Sequence, residues 1–450
     1  MAFGFGILDY IVVALCLAAT IALLHRPEKL IVILPLMMSI DFFIPLGTFV
    51  TPGHIVPLIL GGAMLVKPVA QIPRIVTSIA LLYLVVLAVA VLYAVVLGGA
   101  GSRPFVRGAF YLNILLVFLY GYAVTARTGS LLPIVKGLAV AALCHAFAGF
   151  YQIVAELLNL PYRGVVYNES GYGAPIQEGA SAMRINGMAD EPKRMGFVVF
   201  AGAIALMLLA SIDAEGKGRR FVGAGASLLA GLLTLSSSFF GAVAIWLLQF
   251  ISRPHYLLIG GILLVLLTGL LFVLAPDAAS QTWSSGSLLV ERRMIELEYG
   301  LDNTVVYRQE FYGFDFLLQN PRELITGVGM GRYNLELFQV YGTAAGLNEL
   351  GGVQTINSQL LEVGFDMGLA GVLLILVAPF ILAAKMDASH TGGWWMRSIV
   401  IFLAVQAWFV NSLLFLGLTS GCALAMVLAM REIAGNQQSA PNAPRERLSA

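Results

Sequence analysis

Arg184, Arg194, Arg308 and Arg332, with a few carboxylates and amides, are the residues outside the apolar runs of this 450-residue chain best equipped for chemistry. Arg184, Lys193 and Arg194 flank the step Glu191-Pro192. Proline suits the first turn of a helix, whose free N–H groups and positive dipole end attract an anion. The three cations can converge on a diphosphate there, although Lys193 and Arg194 also fit as plain interfacial anchors. Further on, Arg308, Phe311, Tyr312 and Asp315 share one face of a helix that Asn303 can cap and Asn320-Pro321 ends. The run Gly327-x-Gly329-x-Gly331 before Arg332 lacks the strand, helix and acidic residue of a dinucleotide fingerprint. Close backbone approach to a phosphate and a simple turn both stay open for it. Asn357-Ser358 opens a last stretch carrying Glu362, Asp366, Gly368 and Gly371. An amide such as Asn357 hydrogen-bonds both ways but accepts no proton near neutral pH. No Asp-x-Asp pair occurs in the long polar segments, and the chain has no Cys-x-x-Cys and no His pair at helical spacing, so no metal is expected.

The elements that position these residues must be membrane helices. Hydrophobic residues make up 59% of the chain, charged ones 11%, and the mean hydropathy is +0.87, far from the roughly 25% charged of soluble domains. A net charge of +1 argues against a nucleic-acid partner. Cys16, Cys144 and Cys422 lie in apolar runs and read as packing residues. Apolar runs long enough, or nearly so, to cross a bilayer fall at 6–24, 29–47, 54–66, 75–98, 105–125, 132–158, 195–212, 221–236, 238–251, 256–274, 358–384, 396–411 and 413–431. The first lacks a cleavage site and reads as a retained helix. The expectation is an all-α polytopic bundle of twelve or thirteen transmembrane helices. Residues 1–432 form one membrane domain, and 433–450 a disordered cytoplasmic tail rich in Gln, Pro, Asn and Arg.

Lys and Arg cluster on cytoplasmic connections. Alternation puts Arg26, Lys67, Arg127, Arg219, Lys385 and Arg431 inside, and only Arg103 and Arg107 break the rule among short outer connections. It also sends both long polar segments, 159–194 and 275–357, to the outer face. Inside the bundle, His145, Gln152 and Glu156 lie on one stripe of a helix. His145 reads as a satisfied structural histidine, and Glu156, near the outer end, as a candidate to line a cleft.

Three segments carry a family likeness. Asn357-Ser358, Leu361, Asp366, Gly368 and Gly371 resemble the signature that opens a late membrane helix in the O-antigen ligase and polymerase superfamily, with Asn357 where that family has a histidine. Arg184-Ile-Asn-Gly187 through Glu191-Pro192 to Gly196 resembles a second element, and Tyr307-Arg308 through Asn320-Pro321 to Arg332-Tyr333 a third. Thr234-Leu-Ser236 stands where many members place an arginine.

The resemblance implies a C-type glycosyltransferase-like protein of the bacterial inner membrane, with a helical periplasmic loop region, no metal and no cofactor. Such an enzyme moves a glycan from undecaprenyl diphosphate to an acceptor sugar hydroxyl, with inversion. Arg184 and Arg308, helped by Arg332 or Arg194, would hold the diphosphate and offset its developing charge. Asn357 would position a substrate, and Glu310, Glu191 or Glu362 would accept the hydroxyl proton if a base is needed. Asp366 would fix the adjacent loop, and Gly368, Gly371 and Pro192 would shape the backbone. Glu191-Pro192 and the missing histidine favour a polymerase, with a flippase and a chain-length regulator as partners. A ligase acting on a lipid or protein acceptor is the alternative. A transporter is the reading of another class, disfavoured because most carboxylates lie in the outer segments and not near the midplane.

Overall fold

The structure is a computed structural model that describes residues 7–42, 44–45, 49–162, 185–189, 192–212, 215–234, 236–247, 308–342, 358–386, 391–408 and 412–439. The first half folds as α1 (Ile7–Leu23), α2 (Pro27–Ser39), a two-residue ladder of β1 (Ile44–Pro45) with β2 (Phe49–Val50), then α3 (Pro52–Val66), α4 (Arg74–Leu97), α5 (Arg103–Thr128), α6 (Leu132–Leu157), α7 (Pro192–Ile212), α8 (Lys217–Leu233) and α9 (Ser237–Leu247). The second half has α10 (Arg308–Gln319), α11 (Pro321–Thr326), α12 (Tyr333–Tyr341), α13 (Gln359–Gly371), a π-helical turn over Val372–Val377, α14 (Ala378–Lys385), α15 (Thr391–Gln406) and α16 (Leu413–Ser439). Six of these helices are long and apolar enough to cross a membrane, counting α13 to α14 as one, while α1 and α3 are shorter apolar helices. The chain is an all-α, multi-pass membrane bundle.

Burial grades the helices from centre to rim. The apolar window of α7 is 83% buried, whereas that of α4 is 28% buried, so α4 forms part of the edge that lipid covers. Helix α7 packs on α6 and α8, and α5 on α16. Small residues permit the second contact, since backbones in lipid gain by close approach. A Cβ on Gly121 would lie 2.5 Å from the Leu418 carbonyl, and one on Gly417 would lie 2.9 Å from that of Ile114.

Several boundaries follow the sequence. The break between the runs 221–236 and 238–251 matches the separation of α8, which ends at Leu233, from α9, which starts at Ser237. Asn320-Pro321 ends α10 and starts α11. Among the boundaries that differ from the reading above, two have a visible cause. Helix α2 stops at Ser39 instead of reaching 47, because Asp41 turns away to meet Arg194 and the β1–β2 ladder reverses the chain. Helix α16 continues to Ser439, past the tail boundary drawn at 433, since Glu432 to Ser439 contains no proline and only Gly435 as a weak helix former. The run 256–274 and the cap Asn303 lie outside the described residues.

Candidate functional site

Arg107, in the second turn of α5, is the anchor of the first cluster. Its guanidinium pairs with Glu362 and, at 3.3 Å, with Asp366, which lie one turn apart on α13. The carboxylates are 2% and 0% exposed, and the Arg107 side chain 21%. Glu362 also accepts from Gln359. Asp366 accepts the Gly331 N–H at 2.7 Å, so one buried carboxylate ties the glycine-rich turn to α5 and α13 together. The Arg107 guanidinium also lies 5.8 Å from the Tyr111 ring centre.

The glycine-rich turn spends its amides on the protein. Gly327 donates to Glu323 O, Val328 to Phe365 O, Met330 to Ala90 O, Gly331 to Asp366 and Arg332 to Gly329 O. A phosphate cradle needs such groups free, so the turn serves packing. Positive φ at Gly327, Gly329 and Gly331 lets it do so. A Cβ on Gly329 would sit 3.1 Å from Ala94 of α4, and one on Gly331 3.1 Å from Arg103 of α5. Arg332 donates to Gly98 O and pairs with Glu336 at 2.6 Å. It is 7% exposed and fastens the turn to the α4–α5 connection, which leaves little of it for an anion.

Helix α10 packs over α13 through the stacked rings of Phe316 and Phe365, 5.6 Å apart, and beside α12 through Tyr341, whose hydroxyl donates to Asp315 at 2.6 Å. Partial burial and that carboxylate push the Tyr341 phenol up to about 12, so it stays a donor throughout the physiological range.

A second cluster holds the 185–189 segment. The Gln152 amide donates to Asn186 Oδ1 and Gly187 O, and accepts from both their backbone N–H groups. His145 Nδ1 accepts from Met188 N at 3.4 Å, so the neutral ring carries its proton on Nε2, 2.9 Å from Ser39 Oγ. Asp41 N donates to Met188 O, and Arg194 in the first turn of α7 donates to Asp41 Oδ1 at 3.0 Å. Pro192 occupies the first position of α7, where its missing N–H costs nothing.

Among the expected site residues, Arg184, Glu191 and Asn357 lie outside the described residues, as do the side chains of Arg308 and Glu310 in the first turn of α10, and that of Glu156. Glu362 meets Arg107 instead of open space, a position that suits a counter-ion better than a base. Gly368 breaks α13 with φ 61 and ψ −158, and Gly371 makes room for Met367, whose Cβ would lie 2.5 Å from an added methyl. Arg107, Asp41 and His54 were not singled out as site residues by sequence. Their signals were present, since Arg107 breaks the charge alternation and Asp41 interrupts an apolar run.

Asp41, His54, Arg194 and Ser412 line a cavity of about 60 Å³ with Phe110 of α5 and Phe197 of α7. Phe110 lies one turn beyond Arg107, and its ring is 5.7 Å from that of Tyr111. The three segments discussed above therefore gather around the first turns of α5. Among the described residues no group of three His, Cys, Asp or Glu side chains is arranged to hold a metal ion. In comparisons with known proteins, no family model and no curated relative matches the chain. Fold and site define a multi-pass helical membrane protein with a polar, helix-covered region at one end of the bundle.

Proposed function

We propose that this protein polymerises lipid-linked polysaccharide repeat units, moving a glycan from undecaprenyl diphosphate to an acceptor sugar hydroxyl at the periplasmic face of a bacterial inner membrane. The observation that supports this reading is the convergence of Arg194, the glycine-rich turn at Gly331 and the Glu362–Asp366 stretch of α13 around one end of α5, although they are far apart in the chain. The resemblance rests on motifs from these same three segments. In the proposed displacement, the acceptor oxygen attacks the anomeric carbon while the bond to the diphosphate breaks with inversion. The diphosphate leaves with the electron pair, and Arg184 and Arg308 balance its charge. Arg332 and Arg194 are engaged with Glu336 and Asp41, so they hold structure around the site. Asn357 orients a substrate, and Glu310 and Glu191 are the carboxylates proposed to take the acceptor proton.

The test uses purified protein in nanodiscs with lipid-linked repeat units. The wild type should build a ladder of products, with or without EDTA. Arg184→Lys and Arg308→Lys should each cut turnover about tenfold or more, because an ammonium cannot replace a bidentate guanidinium on phosphate oxygens. Normal polymerisation by both variants, or abolition of wild-type activity by EDTA, would remove the metal-free diphosphate clamp.

Orientation is tested separately. After replacement of Cys16, Cys144 and Cys422, a cysteine at Ser102 on the α4–α5 connection should react with an impermeant reagent in intact cells. One at Thr128, at the opposite end of α5, should stay unlabelled until the membrane is opened. The reverse pattern would place the site in the cytoplasm and exclude this donor.

A further inference from the structure

The cavity between α2, α3, α5, α7 and α16 is polar yet close to electroneutral. Arg194 is neutralised by Asp41 at 3.0 Å, so an entering anion would have to compete with an existing carboxylate for that guanidinium. His54 caps its own helix: Nδ1 accepts from Thr51 N at 3.1 Å, which fixes the proton of the neutral ring on Nε2 as a donor. Ser412 Oγ is buried without a partner among the described residues, and its residue lines the cavity at 1% exposure. An orphaned buried hydroxyl is costly unless something completes it. The remaining walls are apolar, with Phe110, Phe197, Leu414 and Phe415.

We infer that this cavity is a subsite for an uncharged, hydroxyl-bearing edge of a sugar ring, and not for the diphosphate. The inference rests on the proposed glycan substrate. Ring hydroxyls both donate and accept, which matches Asp41 as acceptor, Arg194 and His54 as donors and Ser412 as either. The C–H face of the ring suits the aromatic wall. A space of about 60 Å³ holds roughly four to six water-sized groups, the edge of one ring and not a whole repeat unit. Arg194 thereby becomes a specificity residue for the glycan instead of a phosphate ligand. Its backbone neighbours in α7 and the 185–189 segment set its position through Asp41, whose N–H is held by Met188 O.

The experiment compares the affinity of nanodisc-embedded protein for two probes, the lipid-linked repeat unit and bare undecaprenyl diphosphate. The wild type should prefer the glycan-bearing lipid. Ser412→Leu fills the cavity and should weaken binding of that lipid about tenfold, the worth of one or two lost hydrogen bonds, while leaving the bare lipid unchanged. If Ser412→Leu does not fold, Gly53→Ala narrows the same space. An added Cβ there meets only ordinary contacts, the nearest at 3.4 Å from Met38 O. Equal weakening of both lipids would make the cavity a diphosphate site, and unchanged binding of both by a folded variant would exclude it as a subsite. Either result overturns the inference, as does a wild type without preference for the glycan. A wild type that binds with Ser412-dependent preference but makes no polymer keeps the subsite and removes the polymerase reading.

Discussion

Arg107→Ala is expected to destabilise the folded protein by roughly 3–5 kcal/mol, the usual cost of stranding the partners of a buried ion pair. Glu362 and Asp366 are 2% and 0% exposed, and the guanidinium between them is the cation that both contact. Its removal leaves two carboxylates side by side with no other cation in contact among the described residues. The loss should appear as a lower midpoint in a denaturing-detergent titration of the purified protein. Arg107→Met combined with Glu362→Gln and Asp366→Asn should recover much of it, because neutral amides need no counter-ion and the Gly331 N–H keeps an acceptor. A single Arg107→Ala variant as stable as wild type would mean that the cluster does not anchor the turn.

Gly368→Ala should cost more than about 3 kcal/mol, for two reasons that add. Its φ of 61 with ψ of −158 lies in a region open essentially to glycine alone. An added Cβ would also stand 2.6 Å from Gly327 N, a backbone atom that cannot swing aside. Gly129→Ala is the control, since its φ of 63 and ψ of 16 form a left-handed cap with nothing within 4 Å. That change should cost only about 1–2 kcal/mol. The difference between the two variants reports the stricter backbone region of Gly368 together with the contact of α13 with the glycine-rich turn, and equal losses would show that neither limits stability.

Local features were legible in the sequence because local forces set them. The proline starts of α7 and α11, the serine cluster between α8 and α9 and the glycine kink in α13 all lie within a turn of the residues that cause them. Glu362 and Arg332 were not legible in the same way. Each looks like a free charge near a helix start; Arg107 reaches Glu362 and Gly98 O reaches Arg332 only through tertiary packing, whereas the Arg332–Glu336 pair is local, four residues apart. Arg107 and Asp366 meet across a separation of 259 residues, which no periodicity records. The glycine-rich turn resembled a ligand loop for a related reason, since glycine spacing shows that something approaches the backbone without showing what. Here that something is α4, α5 and α13.

The π-helical turn at Val372–Val377 bears on how this protein tolerates changes in length. A π turn arises where a helix carries one residue beyond what regular winding accommodates. Deleting one residue within Val372–Val377 would restore ordinary winding and leave both flanking faces in place. The same deletion between Gln359 and Met367 would rotate the preceding turn by about 100° and carry Glu362 away from Arg107. Insertions and deletions among descendants of this chain should therefore collect at the π turn, and the half-helix bearing Glu362 and Asp366 should keep a fixed length.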